Sequence, residues 1–210
     1  MKKIIVAPVG DYMDDLYVGI KEFPTEKVIL ITAKDRLKQA EETRDSLEKF
    51  KIPTQIVEIK GNVWEETFKE VAKIKKYEKG DILINVSTGT RDSRCAATSA
   101  AFINGLKAFA VDGAETMMLP VLKFSYYKML TDQKMKLLQI LFEEKDCCSS
   151  LDALSKKAKM SLPLISYHIN GTLKSDGLKT MELVETEEIK GRVTVKLSML
   201  GRMLLKGYVQ

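Results

Sequence analysis

A chain of 210 residues, 45% hydrophobic and 30% charged, has the composition of an ordinary globular protein and is long enough for one large domain or two small ones. No apolar run approaches the roughly 18 to 20 residues of a membrane span. The opening Met1-Lys2-Lys3-Ile4-Ile5-Val6 is broken too early by Pro8, Gly10 and Asp11 to act as a signal peptide, so the expectation is a cytoplasmic protein with no membrane partner. Cys95, Cys147 and Cys148 lack CxxC spacing and share the chain with one histidine, which argues against both a disulfide framework and a zinc site. No metal and no cofactor is expected.

Taken in chain order, short β-branched runs alternate with amphipathic stretches. Strands are predicted at Lys3–Val9, Lys27–Thr32, Thr54–Ile59, Asp81–Ser87, Lys107–Val111 and Glu115–Leu119, and helices at Asp11–Phe23, Asp35–Phe50, Val63–Tyr77 and Arg91–Asn104. In the second helix Leu37, Ala40, Leu47 and Phe50 recur near helical spacing. Alternation of this kind gives an α/β fold, a Rossmann-like parallel sheet sandwiched by helices, with strand order 3-2-1-4-5.

Near Phe124–Gln133 the pattern changes. Asp132–Glu144 reads as an amphipathic helix carrying Met135, Leu138 and Leu141 or Phe142, and Ser149 or Ser150 is placed to cap a short helix Leu151–Ala158. A turn at Lys159-Met160-Ser161 leads to a third helix, Leu162–Ser175, with Pro163 in its first turn and Gly177 as its C-cap. Leu178–Thr186 and Arg192–Leu197 read as a β-hairpin, and Met199–Lys206 as a last helix. This order predicts a C-terminal winged helix-turn-helix domain, giving residues 1–125 as a Rossmann-like domain, 126–132 as a linker and 133–210 as the second domain.

The net charge of +5 is unevenly placed: residues 1–132 carry 21 Lys+Arg against 20 Asp+Glu, and residues 133–210 carry 13 against 9. A basic surplus there points weakly to nucleic acid and, taken alone, fits a solvated charged surface better. In the third helix Ile165, Ile169 and Leu173 are expected to face the core. Ser161, Pro163, Ser166, Tyr167, Asn170 and Lys174 then form the outer face, with His168 beside them and no chemistry assigned to it. Hydroxyls and amides suit base edges or phosphates, and a cation suits the backbone; Lys190 and Arg192 at the wing tip suit phosphate or the minor groove. Double-stranded DNA is the expected partner, and protein docking through the same fold is the alternative.

The residues "SLPLISYHINGTLKSDGLKTMELVE" and "GRVTVKLSMLGRMLL" are similar to the winged helix-turn-helix of prokaryotic transcription regulators, over about residues 133–207.

In the first half, order 3-2-1-4-5 places the ends of the first and fourth strands side by side at the topological switch point, where open α/β sheets bind ligands. Those ends carry Gly10, Asp11 and Tyr12 and, facing them, Ser87, Thr88, Gly89, Thr90 and Arg91. The second stretch reads as a plain turn, a nucleophile site or an anion cradle. Gly89, a helix N-terminus near Arg91 and the Thr and Arg donors favour the cradle. Neither a G-x-G-x-x-G run nor a Walker lysine is present, which speaks against a dinucleotide or ATP. No histidine stands near in sequence, so no catalytic residue is expected. Ala96, Ala97, Ala100 and Ala101 are expected to let the following helix pack close to the sheet.

"INVSTGTRDSRCAATSAA" with "IIVAPVGDYMDDL" resembles the CRISPR-associated Rossmann-fold (CARF) domains and archaeal CARF/winged-helix regulators, over roughly residues 1–125. The chain departs from many members in having Thr88-Gly89 where they have two glycines. The resemblance implies a homodimer that binds a cyclic oligoadenylate or other small nucleotide at its two-fold through Thr88, Gly89, Thr90 and Arg91, and more loosely through Gly10, Asp11 and Tyr12. A ligand-responsive transcription regulator follows from it. The alternative is a metal-independent ring nuclease, in which a ligand 2′-hydroxyl attacks and the protein holds it in line.

Overall fold

The structure, a computed structural model, describes residues 2–120, 130–143, 150–173, 175–189 and 191–207, with the backbone alone of Ile189 and Arg192. These residues fall into two compact units, divided between residues 125 and 126.

The first unit is a mixed α/β, Rossmann-like fold. Its six-stranded sheet runs β3-β2-β1-β4-β5-β6, with β1 Lys3–Pro8, β2 Thr25–Ala33, β3 Thr54–Ile59, β4 Asp81–Asn85, β5 Lys107–Asp112 and β6 Glu115–Leu119. The first five are parallel, and β6 turns back antiparallel against β5. The expected order holds. β1 and β4 are apolar almost throughout because parallel strands in the middle of such a sheet are covered on both faces. β3 lies at the sheet edge and is correspondingly less buried.

Four helices connect these strands: α1 Asp14–Glu22, α2 Leu37–Lys49, α3 Val63–Tyr77 and α4 Arg91–Ile103. On one face of the sheet Ile5, Ala7, Val9, Val28, Leu30, Leu83 and Phe109 pack with Leu16 of α1 and Ala40 and Leu47 of α2. Strand side chains alternate, so Ile4, Val6, Ile29 and Ile84 face the other side, where α3 and α4 bring Val71, Ala96, Ala97, Ala100 and Ala101. Phe50, expected on the apolar stripe of α2, is exposed, because the helix ends at Lys49 and Lys51 turns away with φ 58°. The first helix begins at Asp14 rather than Asp11, since residues 11–13 form the turn that touches the β4 loop.

The second unit holds α5 Asp132–Glu143, α6 Leu151–Ala158, α7 Leu162–Asn170, a two-residue ribbon β7 Gly171–Thr172 with β8 Ser175–Asp176, a hairpin of β9 Val184–Ile189 and β10 Arg192–Leu197, and α8 Met199–Leu205. Its core joins Leu137, Leu138 and Leu141 of α5 to Leu154, Ile165, Ile169, Val195 and Leu204. Phe142, the alternative to Leu141, is exposed. Ser150 caps α6 by accepting from the Ala153 N–H at 3.2 Å, as expected.

Two expectations about the third helix of this unit are corrected. α7 ends at Asn170, where Gly171 adopts a φ of 78° that a residue with a Cβ rarely takes, so Gly177 is not its cap and the four-residue spacing stops before Leu173. Leu173 is accordingly fully exposed rather than in the core. His168 lies three residues after Ile165 on the buried stripe with Ile169, not on the outer face. The first hairpin strand is also shorter than predicted, because Lys179–Met181 forms a turn closed by Met181 N–H to the Gly177 carbonyl at 3.0 Å.

Candidate functional site

The loops that leave β1 and β4 touch at backbone level. A Cβ on Gly10 would fall 2.3 Å from the Thr90 nitrogen and 2.5 Å from the Gly89 carbonyl carbon, and one on Gly89 would fall 2.2 Å from Ser93 Oγ. Both glycines therefore serve loop against loop, and neither leaves its space to a ligand. The Tyr12 N–H donates to the Thr88 carbonyl at 3.2 Å, and Gln39 Nε2 donates to the Gly10 carbonyl at 2.9 Å.

Most hydroxyls of the polar run are committed inside the protein. Thr88 is fully buried and donates to the Pro8 carbonyl at 2.6 Å. Ser87 Oγ accepts from Val111 N–H at 2.8 Å, and Ser87 N–H donates to Asn85 Oδ1 at 2.9 Å. Thr90 caps α4, its Oγ1 lying 3.0 Å from Ser93 Oγ. Thr88 and Thr90 thus help to shape the loop, and the exposed Arg91 guanidinium presents the charge. Arg91 makes no ion pair among the described residues. The first N–H groups of α4 add the positive end of its dipole beside it.

The acidic residues here have cationic neighbours. Asp11 pairs with Arg36 at 2.7 Å. Burial, with Asp14 beside it, raises the Asp15 carboxyl above its ordinary range, while Arg94 pulls it down. The Arg94 guanidinium also lies 4.9 Å over the Tyr12 ring. Arg36, Gln39 and Arg94 are residues that sequence reasoning missed. Arg94 had a signal, standing three residues after Arg91 on one helical face; Arg36 and Gln39 reach the site only through the fold.

An open pocket of about 340 Å³ lies along α4, lined by Val86, Arg91, Arg94, Cys95, Thr98 and Ser99. Among the described residues, no group of three or more His, Cys, Asp and Glu is placed to hold a metal, and no helix is long and apolar enough to cross a membrane.

In the second unit, Ser161, Pro163, Tyr167 and Asn170 are exposed on or beside α7 and Ser166 is half-buried there. Asn170 Nδ2 donates to Ser166 Oγ at 3.1 Å. Leu162 and Leu164 share this exposed surface, which is less polar than expected. Lys174 and Lys190 lie outside the described residues, as does the side chain of Arg192, whose backbone pairs opposite Ile189. Cys147 and Cys148 lie outside them too. His168 is buried with neither ring nitrogen bonded among the described residues, and burial together with nearby Lys134 lowers its pKa.

A Rossmann-like sheet with a polar loop pair at its switch point defines the class. Residues 3–116 match the family model described as "HFX_2341_N:-like, N-terminal", more than half of the chain, and the chain belongs to that family. Among solved structures the chain is similar to Enterococcus italicus Csm6 bound to cyclic hexa-2′-fluoro-hexa-dAMP, at 13% identity and TM-score 0.47, covering 81% of this chain and 51% of that one. It is similar also to Can2 from Sulfobacillus thermosulfidooxidans in complex with cyclic tetra-adenylate, at 14% identity and TM-score 0.45, covering 98% of this chain and 64% of that one. Protein VC1899 from Vibrio cholerae matches at 13% identity and TM-score 0.48, again covering 98% of this chain and 64% of that one. The chain thus spans between about half and two thirds of the length of these three. No curated protein matches it.

Proposed function

We propose that this chain is a ligand-responsive, DNA-binding transcription regulator that acts as a homodimer. The first unit senses a small nucleotide, a cyclic oligoadenylate in the reading that the CARF resemblance supports, and the second is a winged helix-turn-helix. The observation that carries the sensing role is the locked pair of loops at the sheet's carboxyl end: Gly10 against Thr90, with Arg91, which makes no ion pair among the described residues, beside a helix N-terminus. A pre-shaped rim with an exposed guanidinium favours a phosphate-bearing ligand, because the protein loses little freedom in holding it.

In the second unit, α7 follows α6 after a tight turn in which Lys159 is left-handed at φ 57°, and the β9–β10 hairpin follows in chain order, which supports the winged-helix reading. Ser161, Pro163, Ser166, Tyr167 and Asn170 are the groups that would meet a duplex, with Lys174, Lys190 and Arg192 supplying cations. Ligand at the dimer two-fold biases which spacing of half-sites the paired units fit. The test is a gel-shift series with the DNA upstream of the protein's own gene, at two salt concentrations, with and without cyclic oligoadenylates. Salt-sensitive binding altered by ligand supports the reading; no binding to any duplex ends it.

A second reading is cleavage of the bound ring, with Arg91 and the first N–H groups of α4 holding the charge that develops at the phosphate. The ligand's own 2′-hydroxyl would attack its phosphate and lose its proton to water, the P–O5′ bond would break with the 5′-oxygen taking a proton from water, and a 2′,3′-cyclic phosphate would remain. Chromatography of cyclic tetra-adenylate after incubation decides it: linear product supports cleavage, and intact ring excludes it.

A further inference from the structure

We propose that the outer face of α4 carries a second phosphate subsite, formed by Arg91, Arg94 and Ser99 over Val86, with Tyr12 holding Arg94 in place. The inference rests on the reading that a phosphate-bearing ligand enters at the loops, and it adds a second point of attachment beyond them.

The pocket residues Arg91, Arg94, Cys95, Thr98 and Ser99 recur every three or four positions, so they form one stripe of the helix, opposite the buried stripe of Ser93, Ala96, Ala97, Ala100 and Ala101. Its volume of about 340 Å³ accommodates a phosphate with part of a nucleoside.

The charge pattern of this stripe differs from that of its neighbour. On α3, Lys69 and Lys73 are each paired with a glutamate three residues earlier, Glu66 at 3.0 Å and Glu70 at 2.6 Å. On α4 the two arginines stand three apart with no acid three or four residues from either, and neither makes an ion pair among the described residues. Like charges so placed repel unless an anion comes between them. The Arg94 guanidinium carbon lies 4.9 Å over the Tyr12 ring, and among the described residues no hydrogen bond takes its N–H groups, which leaves them for a phosphate. Thr98 donates its hydroxyl to the Arg94 carbonyl at 2.8 Å and is therefore a wall, whereas the Ser99 hydroxyl is uncommitted among the described residues.

The phosphate could belong to a cyclic oligonucleotide or be free, and the experiment separates the two. Calorimetric titration of cyclic tetra-adenylate and, in a separate arm, of inorganic pyrophosphate is run on the full chain and on Arg94→Gln, Arg94→Lys, Ser99→Ala and Arg91→Gln. The arginine Nε–H NMR signals are followed in both arms. Thermal melting establishes that each variant is folded. The expected result is a loss of about tenfold or more in cyclic tetra-adenylate affinity for Arg94→Gln, partial recovery in Arg94→Lys, and a smaller loss for Ser99→Ala. If Arg91→Gln abolishes binding while Arg94→Gln binds as the parent does, the subsite is overturned and the loop site stands. If the parent binds no cyclic tetra-adenylate, a pyrophosphate-induced shift of the Arg94 signal supports a free-phosphate subsite. No Arg94 shift in that arm overturns it.

Discussion

The carboxyl end of the parallel sheet and the outer face of α7 are built in opposite ways. At the first, Thr88 is bonded to Pro8, Ser87 to Val111, Thr90 to Ser93 and the Gly10 carbonyl to Gln39, while Arg91 is exposed with no ion pair among the described residues. At the second, Ser161, Pro163, Tyr167 and Asn170 face solvent, with one bond among them and Ser166. A rim fixed in advance holds a small ligand at little entropic cost, while a face of unconstrained side chains adapts to a long repeating surface. Damage to the first should therefore appear as lost stability together with lost binding. At the second it should appear as lost binding alone.

The largest effect is expected from Gly10→Val. Its Cβ would collide with the backbone at Thr90, so the loops must separate at a cost of about 3 kcal/mol, with loss of ligand affinity; urea unfolding and calorimetry measure both. Full stability in this variant would break the claim that the loops are locked.

Next is acidification of the second unit. The His168 pKa lies below its ordinary 6.5, lowered first by burial and then by Lys134, so the folded state resists the proton that the unfolded chain accepts. Its contribution is fully present above pH 6.5 and is lost as pH falls below that value, by at most about 1.4 kcal/mol per pH unit. Melting from pH 7 to pH 5 should show this decline, and His168→Leu should flatten it.

Thr88→Val comes third, at about 1 to 2 kcal/mol, because the Pro8 carbonyl keeps its burial and loses its donor. Smallest in stability are Ser166→Ala and Tyr167→Ala, expected within about 0.5 kcal/mol of the parent while weakening duplex retention in a gel shift. Equal retention by both would favour a protein partner for this face over DNA.

The sheet order was legible because β1, β2 and β4 are continuous apolar runs separated by helical spacing, a pattern that few topologies satisfy. The loop pair at its end was legible as a location, since strand order alone brings Gly10 and Thr90 together. What each residue does there was not legible. Whether Thr88 points at a ligand or at the Pro8 carbonyl depends on atoms 80 residues apart in the chain. Likewise Gln39 and Arg36 join the site from β2's far end, with no local motif to announce them. In the second unit the helical spacing of Ile165 and Ile169 extrapolated to Leu173 because nothing in periodicity shows that Gly171 takes a positive φ. His168 was misplaced for a related reason: at three residues from Ile165 it falls on the buried stripe, and its polarity argued the other way.

The central claim is that the rim formed by the packed Gly10 and Thr90 loops, with Arg91 beside it, is where a nucleotide ligand is held. A crystal structure of the full chain grown with cyclic tetra-adenylate tests it most directly. The account predicts ligand density with a phosphate oxygen within hydrogen-bond distance of the Arg91 guanidinium and the first N–H groups of α4. Ligand density elsewhere on the molecule, with this rim meeting solvent alone, would contradict it.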